Sequence, residues 1–477
     1  MNGTNRVEFF WMLVVVVVAA FISFFISLQA GLAVLVFAVL GWWVWQNPEH
    51  GFLFFIITAP VLPLLKFTQT GGLFTLIKDV IIFVLLLRVF AWPLLQKKIT
   101  YRRVFLFAPL VLLALWTAVA ALRGDQQILS ILRARDILLY PLLYFGVLYL
   151  PSSKQILKER YGWLMAVSGI VMLLAIYQWF FALDSAVLRF DPVRSIWIPR
   201  LSSTFGHPTV FGEYIVMLTL LCTSAAVYLN NTRWRWINAA VAVLTLPFIY
   251  LTYSRGVWLG LVAGLGAMAC IYIWQWMRNK EIIPVSYIWK IISVSFVSLI
   301  ILLFIAIRFT PVGTFLQSSF DPTYSSNSIR LEFVARLLGS MSNTDALFGQ
   351  GLGDVTQQTL RTIEVDQFDI ATGDDREVQL SKDSTLVDNQ YLKTFVEMGL
   401  AGILIFAFIY WRFFQSGFQA LTQPTPYGNI LGLFGIGFLA AFLIQAFFVD
   451  IWDVFPTNAL FWIVAALLSA ANTRETI

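Results

Sequence analysis

Three arginines and one aspartate stand at the edges of long apolar runs in this chain. They are Arg200, Arg255, Arg330 and Asp388. A guanidinium is always charged and pairs bidentately with phosphate oxygens, and a carboxylate can take a proton from a hydroxyl group. An ionisable group at membrane depth costs about 2.5–3.5 kcal/mol on insertion scales, so four of them at one level indicate a function. The set favours binding of a polyanionic, lipid-linked substrate.

Membrane helices must position these residues. Hydrophobic residues make up 59% of the chain and charged residues 12%, whereas a soluble domain has about 25% charged residues. Apolar runs long enough to cross a bilayer as helices recur from end to end, which predicts an all-α polytopic membrane protein with about 12–14 transmembrane helices. The candidate spans are 9–29, 31–46, 51–66, 75–94, 104–122, 137–150, 162–182, 210–229, 236–253, 256–276, 288–308, 390–414, 428–449 and 457–471.

Lysine and arginine cluster in short connections between the candidate spans. The net charge of +6 therefore reflects the positive-inside rule, and no nucleic-acid partner is predicted. The basic connections at 97–103, 154–160, 233–235 and 278–280 are predicted to be cytoplasmic, as are both termini. Alternation places residues 123–136, 183–209, 309–389 and 450–456 outside, together with the turn at Ser254 and Arg255. With His50 and His207 as the two histidines, no metal site and no cofactor are predicted.

Residues 309–389 are the one long polar connection, and they are predicted to form an external loop subdomain. Serines near residue 326 can cap a predicted helix with apolar residues at helical spacing. The glycines between Gly349 and Gly353 predict a flexible turn. A nucleotide-binding loop is not predicted, because it would need a preceding strand and a Lys-Ser/Thr pair. The chain is accordingly divided into an N-terminal transmembrane bundle (1–195), a transmembrane core with the arginine motifs (196–308), the external subdomain (309–389) and the C-terminal transmembrane helices (390–477).

The polar motifs follow one another in a characteristic order. In chain order they are Arg200 to Pro208, Thr252 to Gly256, Arg330, and Asp388 to Gly402. This order, with Arg330 inside the long loop and the last motif at the end of that loop, resembles the O-antigen ligase and polymerase family, bacterial membrane glycosyltransferases that use lipid-linked sugars. The resemblance covers roughly residues 195–410, and the spans before it are generic.

The resemblance implies a site made of arginines and a base. In ligase members of the family, two external arginines bind the diphosphate of an undecaprenyl diphosphate-linked glycan without a metal ion, and a histidine beside an asparagine activates the acceptor hydroxyl. Arg255 and Arg330 match these arginines, and Arg200 is expected to be a third anion contact. Asp388 stands where the family has its histidine, and the expected asparagine follows as Asn389.

The function implied is that of a plasma (inner) membrane glycosyltransferase acting on the external face. Its partners would be the undecaprenyl diphosphate-linked donor, a glycan or lipid acceptor, and membrane lipids. The missing ligase histidine favours a cell-surface polysaccharide polymerase, and an O-antigen ligase or a protein O-oligosaccharyltransferase of the same family is the alternative. Asp388, Arg255 and Arg330 are the predicted catalytic residues. The predicted substrate-binding residues are Arg200, His207, Tyr253 and Asn389.

Other interpretations of the same residues remain open at this stage. Asp388 is also a good helix N-cap residue, and His207 is either a cap before Pro208 or the fallback base. Arg200 and Arg330 could be ordinary loop charges, and Arg255 could be an interfacial arginine. A polysaccharide or lipid transporter would want charges along a path through the membrane rather than at one level. In a structural or sensory membrane protein the arginines would be incidental.

Cysteine labelling tests the predicted orientation of the chain. In a background with Cys222 and Cys270 replaced by alanine, we expect Ser325→Cys to react with a membrane-impermeant maleimide in intact cells, because residues 309–389 are predicted to be external. Ser152→Cys, in a connection predicted to be cytoplasmic, should react only after the cells are opened. The reverse pattern would contradict the orientation.

Overall fold

A computed structural model of the chain shows helices along most of its described length. It describes residues 28–67, 71–95, 104–150, 153–182, 187–191, 196–278, 334–335, 338–339, 341–353, 389–423 and 425–472. Arg330 and Asp388 lie outside the described residues. So do the predicted span 288–308, most of the predicted span 9–29, and the predicted helix cap near residue 326.

The described elements of the first half of the chain are all helical. They are α1 (Leu28–Gln46), α2 (Pro48–Thr58), a 3₁₀ helix (Leu62–Phe67), α3 (Gly71–Leu86), a π-helical turn (Leu87–Ala91), α4 (Trp92–Leu95), α5 (Phe107–Arg123), α6 (Gln127–Leu148) and α7 (Ser153–Phe181).

The second half contains a β-hairpin and eight helices among its described residues. The elements are β1 (Val187–Asp191), β2 (Ile196–Arg200), a 3₁₀ turn (Ser203–Phe205), α8 (Pro208–Tyr228), α9 (Thr232–Leu244), α10 (Leu246–Leu251), α11 (Arg255–Arg278), α12 (Asn343–Phe348), α13 (Gln390–Leu421), α14 (Pro426–Gln445) and α15 (Thr457–Asn472). The hairpin is antiparallel and pairs Val187 with Arg200 and Asp191 with Ile196.

The helices confirm an all-α polytopic membrane protein. Among the described residues, six helical stretches are long and apolar enough to cross a membrane: Tyr161–Phe181, Pro208–Tyr228, Thr232–Leu251, Arg255–Gln275, Gln390–Leu421 and Pro426–Gln445. Three shorter apolar helices are Val34–Gln46, Phe107–Arg123 and Thr457–Asn472. Because two of the predicted spans fall outside the described residues, the total of about 12–14 spans remains a prediction.

Two connections differ from their prediction as plain loops. Residues 123–136 are largely helical, because α6 begins at Gln127 and includes the charged residues that lower the hydropathy there. Ion pairs of Arg133 with Glu397 and Asp453 explain why this helix tolerates a buried guanidinium. Residues 183–209 contain the β-hairpin, whose ten paired residues were too few to stand out in the sequence pattern.

The chain divides into two compact units. The first comprises Met1–Arg102 and Leu139–Val171, and the second comprises Arg103–Leu138 and Met172–Ile477. Within the first unit, Gly51 packs so closely against Val44 that a Cβ there would lie 2.7 Å from a valine methyl. Arg88 donates from Nε to the carbonyl of Trp45 at 3.1 Å, so this guanidinium is hydrogen-bonded inside its own unit.

Aromatic side chains fill the interior of the second unit. Phe461 on α15 lies at its centre, with ring centroids 4.8 Å from Phe413, 4.7 Å from Phe442 and 4.9 Å from Trp452. Aromatic pairs at these separations add to the free energy gained by burying their area. The cluster fixes α13, α14 and α15 against one another.

Glycines allow α11 and α14 to approach at backbone distance. A Cβ at Gly264 would lie 2.8 Å from Leu220 and 2.9 Å from the carbonyl oxygen of Gly437, and a Cβ at Gly437 would lie 2.5 Å from Met268. Small residues at such a crossing are the usual means of close helix packing in membranes. Since α11 begins at Arg255, this crossing sets the position of the predicted site arginine.

The segment from Gly349 to Gly353 is fixed rather than flexible, which corrects the sequence prediction. Gly349, Gly351 and Gly353 have φ values of 82°, 133° and 86°, which favour glycine. Gln350 donates from its backbone N–H to the carbonyl of Val396 at 2.8 Å, and Leu352 donates to Ala120 at 3.0 Å. The glycines serve close backbone contact with α5 and α13.

Gly399 interrupts α13 with a kink. Its φ of 67° lies in the left-handed region, so the helix is two helical pieces joined at a kink. A Cβ there would lie 2.4 Å from the carbonyl oxygen of Leu347. The kink therefore makes room for the end of α12.

A leucine placed at Gly264 should force α11 and α14 apart. We expect Gly264→Leu to cost about 1–3 kcal/mol of stability, as overpacking does elsewhere, and to lower the thermal unfolding midpoint in detergent. Gly266→Leu on the same helix is the matched control, because no atom lies within 4 Å of its Cβ position. Intrinsic tryptophan fluorescence measures both midpoints. Equal midpoints for the two variants would contradict the glycine crossing.

Candidate functional site

The first part of the site is the stretch that enters α8. β2 ends at Arg200, and the following residues are held by Gln178, whose Oε1 accepts from the backbone N–H groups of Ser202 at 3.1 Å and Ser203 at 2.8 Å. His207 then takes the N-cap position with extended backbone angles. Pro208 is the first residue of the helix, a position where its missing N–H costs nothing.

The second part is the turn between α10 and α11. Tyr253, in the middle of this turn, has a φ of 47°. A bulky residue with positive φ is a genuine outlier, and such strain is characteristic of functional sites. The turn is held from both sides, because the hydroxyl of Thr252 donates to the carbonyl of Ile249 at 2.7 Å and the indole N–H of Trp258 donates to the same carbonyl at 3.0 Å.

Arg200 joins the two parts directly. Its Nε donates to the carbonyl of Thr252 at 2.9 Å, and its Nη2 lies 3.5 Å from the hydroxyl of Thr209. That hydroxyl is also 3.5 Å from the hydroxyl of Ser254. Arg200 therefore lies beside the turn that precedes Arg255.

Two helices begin at this place. The Thr209–Ser254 contact brings the first turn of α8 beside the residue that precedes α11. Each helix N-terminus carries partial positive charge from its unbonded N–H groups, and an anion bound there is stabilised. Arg200 and Arg255, both half-buried, add two full positive charges. The electrostatics of this site suit an anionic group.

His207 is the third basic side chain at this site. The surrounding protein partly removes the His207 imidazole from water, and this desolvation and the positive charge of Arg200 lower the pKa of His207 to about 4. The imidazole still reaches the surface. It is therefore neutral at pH 7, where it can accept a proton or a hydrogen bond but adds no charge.

The start of α13 is held beside the same turn. Residues 446–448, which follow α14, contact both elements. Gly256, directly after Arg255, approaches Phe448 so closely that a Cβ would lie 2.7 Å from its Cβ. Gln390, directly after Asn389, donates from its backbone N–H to the carbonyl of Ala446 at 2.8 Å. Arg255 and Asn389 thus each adjoin a residue that is anchored on this short segment.

Asn389 caps α13. Its Oδ1 accepts from the backbone N–H of Leu392 at 3.1 Å, as an N-cap asparagine does. The alternative in which Asp388 is the helix cap is therefore wrong, because the neighbouring asparagine fills that position. Asn389 has a structural role that the sequence analysis did not assign to it.

Sequence analysis missed an ion cluster inside the second unit. Its members, called the ion cluster below, are Arg133 on α6, Lys393 and Glu397 on α13, and Asp450 and Asp453 between α14 and α15. The signal was present, since Lys393 and Glu397 stand one helical turn apart in an otherwise apolar span. The three segments are also ones that the charge pattern placed on the same side of the membrane. Burial alone would raise the pKa of Asp453, but Arg133 and Lys393 lower it to about 2.

The structure thus brings together five of the seven predicted site residues or their immediate neighbours. Arg200, His207, Tyr253, Arg255 and Asn389 lie on the elements just described, whereas Arg330 and Asp388 are outside the described residues. Among the described residues, no group of three or more histidine, cysteine or acidic side chains is arranged to hold a metal ion.

Comparison with protein families identifies the region that holds these elements. Residues 240–407 match the family model described as O-Antigen ligase. Over these residues the chain is similar to the O-antigen ligase family. The match includes the turn before α11, the segment from Gly349 to Gly353 and the first half of α13. A search of curated proteins finds no match to the chain.

The family match confirms the resemblance drawn from the motifs. The chain is a multi-pass membrane protein with an O-antigen ligase domain, and its general class is that of the ligase and polymerase type of membrane glycosyltransferase. Arg200, His207 and the entry to α8 precede the matched region, yet Arg200 bonds directly to Thr252 within it. The site therefore extends beyond the family domain.

Proposed function

We propose that this protein transfers an oligosaccharide from an undecaprenyl diphosphate carrier to an acceptor hydroxyl at the external face of the plasma membrane. The observation that carries the proposal is the bond from Arg200 to the turn before Arg255, within reach of two helix N-termini. Such a site can stabilise a diphosphate through charge and hydrogen bonds together. The family of residues 240–407 supports the choice of a lipid-linked glycan as the anionic substrate.

The reaction needs little beyond charge stabilisation and a base. The bond between the sugar anomeric carbon and the diphosphate oxygen breaks, and the acceptor oxygen forms the new bond to the same carbon. The diphosphate leaves with the bonding electron pair, and Arg255, Arg200 and Arg330 neutralise the charge that develops on it. The proton of the acceptor hydroxyl passes to a basic side chain.

We assign the role of base to Asp388. It precedes Asn389, which caps α13 beside the segment that also contacts Gly256. With capping performed by Asn389, a polar residue at position 388 has no need to cap the helix. An aspartate near arginines stays ionised and can accept a proton. His207 is the second candidate, although its lowered pKa makes it a weaker base than an unperturbed histidine.

The acceptor is best assigned as the growing glycan itself. Aspartate in place of the histidine found in ligase members favours a polymerase that extends a cell-surface polysaccharide. The proposal is tested by mixing purified protein with lipid-linked oligosaccharide in the absence of any nucleotide. Release of undecaprenyl diphosphate with elongation of the glycan supports it, and an inert mixture contradicts it.

Loss of an arginine should remove stabilisation of the departing diphosphate. We expect Arg255→Ala and Arg330→Ala each to lower turnover by about 10²–10³, the effect of losing one charge-stabilising contact. Arg233→Ala is the matched control, since Arg233 is an exposed arginine in a connection predicted to be cytoplasmic. Turnover is measured as undecaprenyl diphosphate released per inserted protein. Wild-type turnover in the Arg255 variant would falsify its role.

Asp388→Asn separates the base from a merely polar residue. Asparagine has the size of aspartate and keeps one acceptor oxygen but cannot take a proton, so we expect transfer to fall to a residual level while the donor still binds. Asp388→His should restore part of the activity, with a pH dependence governed by the histidine pKa of about 6.5. Asp125→Asn, at an exposed position before α6, is the control for a lost carboxylate. Near-normal transfer by Asp388→Asn would eliminate this base and direct attention to His207.

A further inference from the structure

The ion cluster has contacts that the proposed chemistry does not use. Arg133 pairs through Nε with Glu397 at 2.9 Å and through Nη1 with Asp453. Lys393 pairs with Asp450 at 3.1 Å and with Asp453 at 2.6 Å. Asp453 is thus shared by both cations, and the five side chains form one continuous network.

Four of the five members of this network are buried, and the side chain of Asp453 is 23% exposed. Glu397 is 1% exposed, Lys393 5%, Asp450 6% and Arg133 9%. Burying paired charges gains little stability, because the cost of removing them from water offsets their attraction, and apolar side chains of similar size pack as well or better. An ion network adds geometric specificity instead, because each pair fixes a distance and an orientation that apolar contacts leave adjustable. The ion cluster is therefore suited to fixing the register of the elements it joins.

One side of the network holds the glycine segment. Oε1 of Glu397, the oxygen not used as the hydrogen-bond partner of Arg133 Nε, accepts from the backbone N–H of Gly353 at 3.3 Å. One residue earlier on α13, the carbonyl of Val396 accepts from Gln350 at 2.8 Å. Gly353 and Asn389 are consecutive in the described part of the chain.

The other side of the network holds the beginning of α13. The backbone N–H of Lys393 donates to the carbonyl of Asn389 at 3.0 Å, which closes the first helical turn. The side chain of Gln390 accepts from the backbone N–H of Trp452 at 3.1 Å, between the two aspartates of the network. Both chain ends that flank residues 354–388 are consequently anchored on the first two turns of one helix.

We propose that Lys393, Arg133 and Glu397 are positioning residues for glycan transfer: their ion pairs fix Asn389 and the first two turns of α13 beside the arginine turn. The proposal rests on the proposed function. None of the three is a catalytic residue, since each acts through the start of α13 rather than on the substrate. Donor binding at the turn before Arg255 should not depend on them, because Arg200 is bonded to that turn without their help.

Hydrogen exchange tests the anchoring without reference to activity. Lys393→Met removes the charge that joins two aspartates, and Glu397→Gln keeps the shape and the acceptor for Gly353 but loses the charge. We expect both variants to exchange backbone hydrogens about tenfold faster in residues 350–353 and 389–393, because the hydrogen bonds there lose their anchor. Lys78→Met, which breaks the Lys78–Asp79 pair in the other unit, is the matched control. Wild-type exchange in both variants of the ion cluster overturns the proposal.

Kinetics then separate positioning from general loss of structure. With activity counted per donor-binding site, Lys393→Met and Glu397→Gln should lower kcat by about 10²-fold, the cost of displacing a reacting group by about 1 Å. The Kd for undecaprenyl diphosphate should be unchanged. In the Asp388→Asn background the same substitutions should cost little more, because residues that act through one another are not additive.

Each outcome of these single and combined substitutions has a definite meaning. Equal losses with and without the Asp388 substitution, or a weakened Kd for undecaprenyl diphosphate, overturn the positioning role while leaving glycan transfer established. Normal kcat in both variants overturns it as well. Absence of transfer by the wild-type protein instead overturns the proposed function and with it the role of the ion cluster in transfer.

Discussion

A charge inside an apolar helix bundle must be paired or hydrogen-bonded, and the second unit of this protein satisfies that constraint in two ways. In the ion cluster, carboxylates from α13 and from the connection before α15 neutralise Arg133 and Lys393. At the arginine turn, Arg200 is oriented by a neutral carbonyl. A carbonyl directs a guanidinium without cancelling its charge. The two arrangements therefore differ in the kind of partner that holds the arginine.

Both arrangements depend on backbone features that bring helices unusually close. Glycines at the crossing of α11 and α14 and at the contact with Phe448 set where the arginine turn lies. Positive-φ glycines let the segment from Gly349 to Gly353 lie against α5 and α13. Gly399 kinks α13 directly after the turns that carry Lys393 and Glu397. The polar chemistry is therefore positioned by residues that have no side chain.

Much of the architecture could be predicted from the sequence, because apolar length and basic connections report directly on membrane helices. The sequence placed Arg200 and the turn before Arg255 on the same side of the membrane, and in the structure a hydrogen bond joins Arg200 to that turn. The ion cluster could not be predicted in the same way, since its five members come from three distant segments and only the spacing of Lys393 and Glu397 gave a local signal. The segment from Gly349 to Gly353 was predicted to be a flexible turn, because glycines are typical both of flexible turns and of segments held in close backbone contact.

The most direct test of the central claim is an electron cryo-microscopy structure of the protein in lipid nanodiscs with undecaprenyl diphosphate-linked oligosaccharide. We expect the diphosphate at the start of α8 and α11, with its oxygens about 3 Å from the guanidinium nitrogens of Arg255 and Arg200. The sugar should then extend toward Asn389 at the start of α13. A diphosphate bound elsewhere, with no phosphate oxygen within hydrogen-bonding distance of Arg255, would contradict the account.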